Sequence, residues 1–113
     1  MKKQQVLDVI LQQGILPLYF NADQELSVEV LRAVHRAGVK AIEYTNRGEG
    51  ALQNMKKLIA VRDADMPDML MGVGTIKNLQ QANAYIDAGV DFMVSPGYVA
   101  EVADRANAIG MFY

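Results

Sequence analysis

The chain has no cysteine and no tryptophan, and it has a single histidine and three prolines among 113 residues. Without cysteine, disulfides and thiolate metal sites are excluded, and a reducing compartment is compatible with the composition. An excess of one charge is also lacking, because 11 basic and 13 acidic residues give a formal net charge of −2. This balance gives no electrostatic reason to expect a nucleic acid or an anionic membrane as a partner.

Long apolar runs are absent as well. No segment is long enough to cross a bilayer. The basic start at residues 1–5 is followed by Asp8, Gln12 and Gln13, where a signal peptide would have an unbroken apolar stretch. We therefore expect a cytoplasmic protein, and its hydrophobic fraction of 51% is sufficient for one core.

Apolar segments of two kinds alternate along the chain. Stripes at helical spacing predict helices at about 6–11, 24–37, 50–61, 79–88 and 98–109. Short buried runs predict strands at about 15–20, 40–47, 69–75 and 91–97, and residues 111–113 resemble the opening of a fifth. The first of these strands contains Pro17, which favours an edge or a position whose N–H is not needed.

Strands that alternate with helices predict parallel βαβ units with right-handed crossovers. The sequence lacks the glycine-rich phosphate-binding motif of a dinucleotide-binding fold, because Gly72-Val73-Gly74 is too short to form it. The sequence instead predicts an α/β fold, the N-terminal portion of a (β/α)₈ TIM barrel with about four βα units preceded by a helix. Such a barrel normally needs about 250 residues. We therefore expect residues 1–113 to form a single domain that is a half-barrel fragment of a longer protein.

Polar residues collect just after each predicted strand, where a (β/α)₈ barrel keeps its working residues. The clusters are Asn21/Asp23, Glu43 to Arg47, Gly74-Thr75 and Ser95-Pro96-Gly97. Side chains alternate along a strand, so Ala41, Glu43 and Thr45 share one face, and Ile42 and Tyr44 share the other. The small and polar face suits a barrel interior near its mouth, and the apolar face suits the surrounding helices.

Glu43 is the most informative of these residues. A carboxylate inside a strand must leave water or find a partner, and either shifts its pKa. It is therefore either a working acid/base or a structural partner of Arg47 or Lys40. Arg47 is expected at the rim, where a guanidinium can bind a carboxylate or phosphate with two parallel hydrogen bonds.

Several other residues near the strand ends have a structural explanation as well as a functional one. Gly72 and Gly74 serve either helix packing or the close approach of a ligand. Residues 95–97 are also typical of a turn. His35 is expected on a helix surface without catalytic duty, since the chain has no second histidine to build a site with it.

Three strand ends, at residues 43–47, 72–75 and 95–97, carry Glu-x-Thr-x-Arg, Gly-x-Gly-Thr and Ser-Pro-Gly. In this order and at these separations, the chain resembles the N-terminal half of the KHG/KDPG aldolase family. These are the aldolases of 2-keto-3-deoxy-6-phosphogluconate and 4-hydroxy-2-oxoglutarate. The resemblance extends from the first helix to Tyr113.

The resemblance implies a class I aldolase on a (β/α)₈ barrel, usually a homotrimer, without metal or other cofactor. Such an enzyme cleaves a keto acid substrate to pyruvate and an aldehyde, and a lysine forms a Schiff base that acts as the electron sink. Glu43 matches the family's general acid/base. Arg47 matches the contact to the pyruvate carboxylate, and Thr75 and Pro96 match residues that line the pocket.

The chain also departs from the family. The Schiff-base lysine of the family lies on the sixth strand, beyond residue 113, so the fragment alone is expected to be inactive. Lys40 begins a strand at the wrong end of the barrel, and Lys77 lies near the correct rim but not at the family position. Many relatives carry an arginine where residues 19–21 are Tyr-Phe-Asn. A non-catalytic half-barrel that only self-associates, and another phosphate-binding TIM-barrel enzyme, stay open as alternatives.

Overall fold

Helices and strands alternate along the whole of the computed structural model, which describes residues 2–113. The helices are α1 (Lys2–Gln13), α2 (Gln24–Arg36), α3 (Ala51–Asp65), α4 (Leu79–Ala88) and α5 (Ala100–Ala108). The strands are β1 (Leu18–Tyr19), β2 (Ala41–Thr45), β3 (Leu70–Gly74) and β4 (Phe92–Met93). The predicted order of elements is confirmed. Among the described helices, none has the length and apolar character needed to span a membrane.

The four strands form one parallel sheet in the order β1-β2-β3-β4. Glu43 of β2 is in register with Leu18 of β1 and with Gly72 of β3, and Gly72 is in register with Phe92 of β4. A parallel bridge between Phe92 and Phe112 continues this order past β4. A strand order that follows the chain without reversal is that of a (β/α)₈ barrel, whereas a doubly wound sheet reverses at a switch point.

The outer strands are shorter than the sequence predicted. Pro17 precedes β1 and has no N–H to donate, although its carbonyl oxygen accepts a hydrogen bond from the Glu43 N–H at 3.0 Å. β1 lies at the edge of the sheet, as Pro17 indicated. Helix α3 instead continues to Asp65, past its predicted end, because the next helix-breaking residue is Pro67.

The two faces of the sheet are packed differently, as the alternation of side chains predicted. On the helix side the main core includes Leu31, Ile42, Tyr44, Met55, Leu58, Met71, Val73 and Met93. On the other face Val6 of α1 packs with Ala41 and Phe92. Gln13, the last residue of α1, hydrogen-bonds both the N–H and the carbonyl oxygen of Ala41. Helix α1 thus occupies the amino end of this face, and the polar residues stand at the carboxyl end.

A buried ion pair that the sequence did not predict joins α3 to β3 and to the residue before β4. Arg62 Nη1 donates to Asp91 Oδ2 at 2.6 Å and to the Met69 carbonyl oxygen at 2.8 Å. The Met71 N–H donates to the same Asp91 oxygen at 2.8 Å. Removing either charge from such a pair is strongly destabilising, because the other charge stays buried. This pair stabilises the amino end of the sheet, away from the polar cluster.

Candidate active site

The carboxyl ends of β2, β3 and β4 lie side by side. Beyond the strands, the Asn46 N–H donates to the Gly74 carbonyl oxygen at 2.9 Å, and the Ile76 N–H donates to that of Val94 at 3.2 Å. The Ser95 hydroxyl donates to the Ile76 carbonyl oxygen at 2.6 Å. These bonds hold the starts of three loops together, so the polar clusters predicted after these strands are neighbours along one edge of the sheet.

Glu43 is buried at this edge, with 7% of its surface exposed. Within residues 2–113, no hydrogen bond or ion pair involves its carboxylate, because Lys40 pairs with Asp68 and Arg47 lies beyond ion-pair distance. Burial raises the pKa of Glu43 above its usual 4.5, and the charge of Arg47 opposes that rise. The structural ion pair that the sequence left open is thus not found in the described part of the chain.

Two glycines of β3 make room for side chains of the neighbouring strands. A Cβ on Gly74 would overlap the carboxylate of Glu43, and a Cβ on Gly72 would overlap the ring of Phe92. Both glycines therefore face the inner side of the sheet, away from helices α2 to α5. The sequence left helix packing open as the reason for these two glycines, and that alternative is wrong. The atoms closest to them belong to side chains of the neighbouring strands. Any residue larger than glycine would displace Glu43 or Phe92.

Thr45 lies beside Glu43 on the same face, and its Cα is in register with that of Gly74. Its side chain is 2% exposed. Within the described chain, its hydroxyl is the one buried side-chain polar atom without a hydrogen-bond partner. Leaving such a group unpaired costs about 1–3 kcal/mol. The sequence placed Thr45 on the inner face but assigned it no role of its own.

Thr75 follows β3 directly and has a φ of 63°, the left-handed region. It is the only residue other than glycine with a positive φ in the described part of the chain. For a β-branched residue this conformation is unusual, and it stores on the order of 1–3 kcal/mol of strain. Strain of this kind concentrates at functional sites.

The remaining predicted site residues lie at the rim. Arg47 is exposed just after β2, and its N–H donates to the Thr45 carbonyl oxygen at 2.9 Å. Pro96 is exposed in the turn that follows β4, and Lys77 is exposed in the loop after β3. The structure thus brings Glu43, Thr75, Arg47 and Pro96 to one end of the sheet, as the sequence predicted.

Other residues considered from the sequence have local structural roles. Asp23 caps α2, since its carboxylate accepts a hydrogen bond from the Leu26 N–H at 3.0 Å. His35 lies on the surface of α2, as predicted, with its Nε2 2.8 Å from Asp68. Hydrogen bonds from Lys40 and then from His35 lower the pKa of Asp68 to about 2.

Sequence reasoning missed a buried polar network behind the β1–α2 loop. The Tyr44 hydroxyl donates to the Asn21 carbonyl oxygen at 2.7 Å and lies 2.9 Å from the Ser27 hydroxyl. The Asn54 amide donates to Tyr44 and to the Asn21 carbonyl oxygen, both at 3.1 Å. The available signal was a serine and an asparagine within the apolar stripes of α2 and α3.

Over residues 2–113, no three His, Cys, Asp or Glu side chains are grouped to hold a metal ion.

Comparison with known proteins gives one consistent family. The family model described as KDPG and KHG aldolase matches residues 6–113. A 2-dehydro-3-deoxy-phosphogluconate aldolase from Pseudoalteromonas atlantica is 30% identical over 104 residues, which are 92% of this chain and 46% of the relative. This chain thus spans about half the length of the curated relatives that it matches.

Solved structures agree with this result. A 4-hydroxy-2-oxoglutarate/2-dehydro-3-deoxyphosphogluconate aldolase from TTHB1 is 36% identical, with a TM-score of 0.79 over 95% of this chain and 50% of that one. A KDPG aldolase from Legionella pneumophila, which holds pyruvate as a covalent carbinolamine captured at low pH, is 26% identical, with a TM-score of 0.73 over 81% of this chain and 43% of that one. These likenesses confirm the predicted portion of a (β/α)₈ barrel and the resemblance seen in the motifs. The chain belongs to the KDPG and KHG aldolase family.

Proposed function

We propose that this protein is a class I aldolase that cleaves a 2-keto-4-hydroxy acid to pyruvate and an aldehyde. The substrate is a 2-keto-3-deoxy-6-phospho sugar acid or 4-hydroxy-2-oxoglutarate, the two classes named in the relatives. One observation carries the proposal: a buried carboxylate without a counter-ion among the described residues, Glu43, lies at the carboxyl end of a parallel sheet. Burial raises its pKa, and a general acid/base benefits when its pKa approaches the operating pH.

The proposed chemistry requires two proton transfers that one carboxyl group can perform. A lysine amine adds to the keto carbon, and loss of water gives a protonated imine. A base then takes the proton from the C4 hydroxyl, the C3–C4 bond breaks, and its electron pair moves into the imine to give an enamine and the aldehyde. An acid then protonates C3, and water hydrolyses the resulting imine to release pyruvate and the free lysine amine. Pyruvate held as a carbinolamine in the Legionella pneumophila relative supports this route, because that adduct requires an amine on the keto carbon.

The neighbours of Glu43 fit the substrate-binding roles that we propose. Arg47 is exposed at the rim beside Glu43, where its guanidinium can bind the pyruvate carboxylate with two hydrogen bonds. Thr75 directly follows Gly74, the glycine that accommodates Glu43, and we assign its hydroxyl to the lining of the same pocket. Pro96 lies after β4 and closes the row of loops at this edge.

We propose that the Schiff-base lysine lies outside residues 1–113 and that these residues alone are inactive. Lys40 directly precedes β2 and pairs with Asp68, at the end of the sheet opposite to Glu43. Lys77 is exposed in the loop after β3, and no observation places it in the pocket. The coverage of about half of each relative is consistent with a nucleophile in the other half.

Trapping with borohydride tests the proposal. The full-length protein is incubated with pyruvate and sodium borohydride, and the modified lysine is located by peptide mass spectrometry. We expect one adduct on a lysine beyond Tyr113 and none on the 113-residue chain. An adduct on Lys77 would move the nucleophile into this half. Absence of both adduct and cleavage in the full-length protein would contradict the proposed function and favour a non-catalytic half-barrel.

A further inference from the structure

We propose that the hydroxyl of Thr45 is a further substrate-binding group, and that it hydrogen-bonds the C4 oxygen of the substrate from which Glu43 takes the proton. This inference rests on the proposed function. It concerns a residue that lies between Glu43 and Arg47 in the chain and whose hydroxyl has no hydrogen-bond partner within residues 2–113.

The first argument is the contrast between two buried hydroxyls. Ser27 is fully buried, and its hydroxyl lies within 3.0 Å of the carbonyl oxygens of Asn21 and Asp23 and of the Tyr44 hydroxyl. Thr45 is almost equally buried, but its hydroxyl has no partner within the described chain. Buried polar groups in folded proteins are nearly always paired, so an exception calls for a functional explanation.

The second argument is position. Thr45 shares the inner face with Glu43, and the Cα of Thr45 is in register with that of Gly74, over which the Glu43 carboxylate lies. The unpaired hydroxyl and the unpaired carboxylate therefore lie on the same face, next to each other at the carboxyl end of the sheet. Two neighbouring polar groups that both lack a partner within residues 2–113 indicate a ligand with polar atoms there.

The third argument identifies the ligand atom. Glu43 exchanges protons with two substrate atoms, the C4 oxygen and the C3 carbon. A hydroxyl can form a hydrogen bond only with an atom that carries a lone pair or a polar hydrogen, which excludes C3. As the C4 proton moves to Glu43 and the C3–C4 bond breaks, negative charge develops on the C4 oxygen before the aldehyde carbonyl forms. Thr45 stabilises that charge by donating its hydrogen bond, and it keeps its own proton throughout.

The test separates two reactions of the full-length protein. Cleavage of the 2-keto-4-hydroxy acid involves the C4 oxygen, whereas exchange of the pyruvate methyl hydrogens in D₂O involves only C3. Thr45→Val keeps the shape of the side chain and removes the hydroxyl. We expect the kcat for cleavage to fall by about 10- to 100-fold, the loss of one hydrogen bond to a charged group. The exchange rate should stay within about twofold of the wild type, since the hydroxyl has no part in it.

Matched variants complete the design. Thr45→Ser restores the hydroxyl and should restore cleavage, and Thr45→Ala serves as the second hydroxyl-free variant. Because the Thr45 hydroxyl is unpaired in the protein, Thr45→Val should leave the thermal midpoint unchanged or raised. Ser27→Ala removes a fully paired hydroxyl and should lower the midpoint without lowering kcat.

The outcomes are distinguishable. If Thr45→Val cleaves at the wild-type rate, the assignment to the C4 oxygen is contradicted and the proposed function stays intact. The same holds if Thr45→Val loses exchange and cleavage equally. A wild-type protein that neither exchanges pyruvate hydrogens nor forms a borohydride adduct contradicts the proposed function itself, and the role of Thr45 with it.

Discussion

The carboxylate of Glu43 lies over the α-carbon of Gly74, in the space that the Cβ of any other residue would take. Because no ion pair holds Glu43 within residues 2–113, the backbone of the neighbouring strand sets the position of this group. The glycine is therefore part of the site although it has no side chain, and it gives the first prediction.

Gly74→Ala should reduce cleavage much more than stability. The added methyl displaces the carboxylate, and a misplacement of about 1 Å at a reacting group can cost about 100-fold in rate. Gly72→Ala is the matched variant, because its methyl meets the ring of Phe92, which is fully buried and cannot swing away. Overpacking of that kind costs about 1–3 kcal/mol. Thermal melts and kcat of both variants check this, and wild-type cleavage by folded Gly74→Ala would contradict it.

Thr75→Gly should stabilise the protein and impair cleavage. Glycine removes the strain of a β-branched residue at a φ of 63°. Glycine also has more conformational entropy in the unfolded state, so we expect a net gain of about 1 kcal/mol in the free energy of unfolding. Loss of the hydroxyl should weaken substrate binding if Thr75 has the role proposed for it. Thr75→Ala is the control, because it loses the hydroxyl but keeps a Cβ in the left-handed region. Urea unfolding of the three proteins measures the difference, and equal stability of Thr75→Gly and Thr75→Ala would exclude strain at this position.

Periodicity predicted the elements of this fold well, but not their ends. The alternation along β2 correctly placed Glu43 and Thr45 opposite Ile42 and Tyr44, because side-chain direction in a strand depends only on the backbone. The lengths of β1 and β4 depend on hydrogen bonds to neighbouring strands, and these have no local signal. At 111–113 the sequence predicts only the opening of a fifth strand, and the structure has a single parallel bridge there, at Phe112.

The sequence predicted which residues lie at this end of the sheet but not their contacts. Motif order and strand ends placed Glu43, Arg47, Thr75 and Pro96 there, and their roles in the reaction remain predictions. The role of Gly74 was missed, because the carboxylate that lies over it comes from another strand. The pair of Arg62 with Asp91 was missed too, since partners far apart in sequence leave no pattern in either segment.

The pH dependence of stability should distinguish an acid/base Glu43 from a structural one. Burial raises the pKa of Glu43, so the folded protein binds this proton more tightly than the unfolded chain. The resulting stability is present below the usual pKa of about 4.5 and is lost as the pH rises through the raised value. Relative to Glu43→Gln, which cannot titrate, the wild type should become less stable as the pH rises above the usual carboxyl pKa of 4.5. Urea unfolding at a series of pH values measures this, and a slope of the opposite sign would indicate an ion-paired carboxylate.

The 113-residue chain on its own should associate. β1 is a free sheet edge, and the exposed apolar side chains include Leu11 at 69%, Ile15 at 67%, Leu18 at 57% and Tyr98 at 78%. Unpaired edges and apolar surface both promote association with another copy. Leu18→Lys, which charges the edge strand, should reduce the association. Light scattering that gives a clean monomer at high concentration, together with a cooperative thermal transition, would contradict this prediction.

The rate of cleavage by Glu43→Gln, measured beside borohydride trapping of pyruvate, tests the central claim most directly. Glutamine keeps the shape of the side chain and cannot carry a proton between substrate atoms. In the full-length protein we expect cleavage to slow by about 100- to 10,000-fold, the usual contribution of a general acid/base, while the pyruvate adduct still forms. A folded Glu43→Gln protein that cleaves at the wild-type rate would contradict the account.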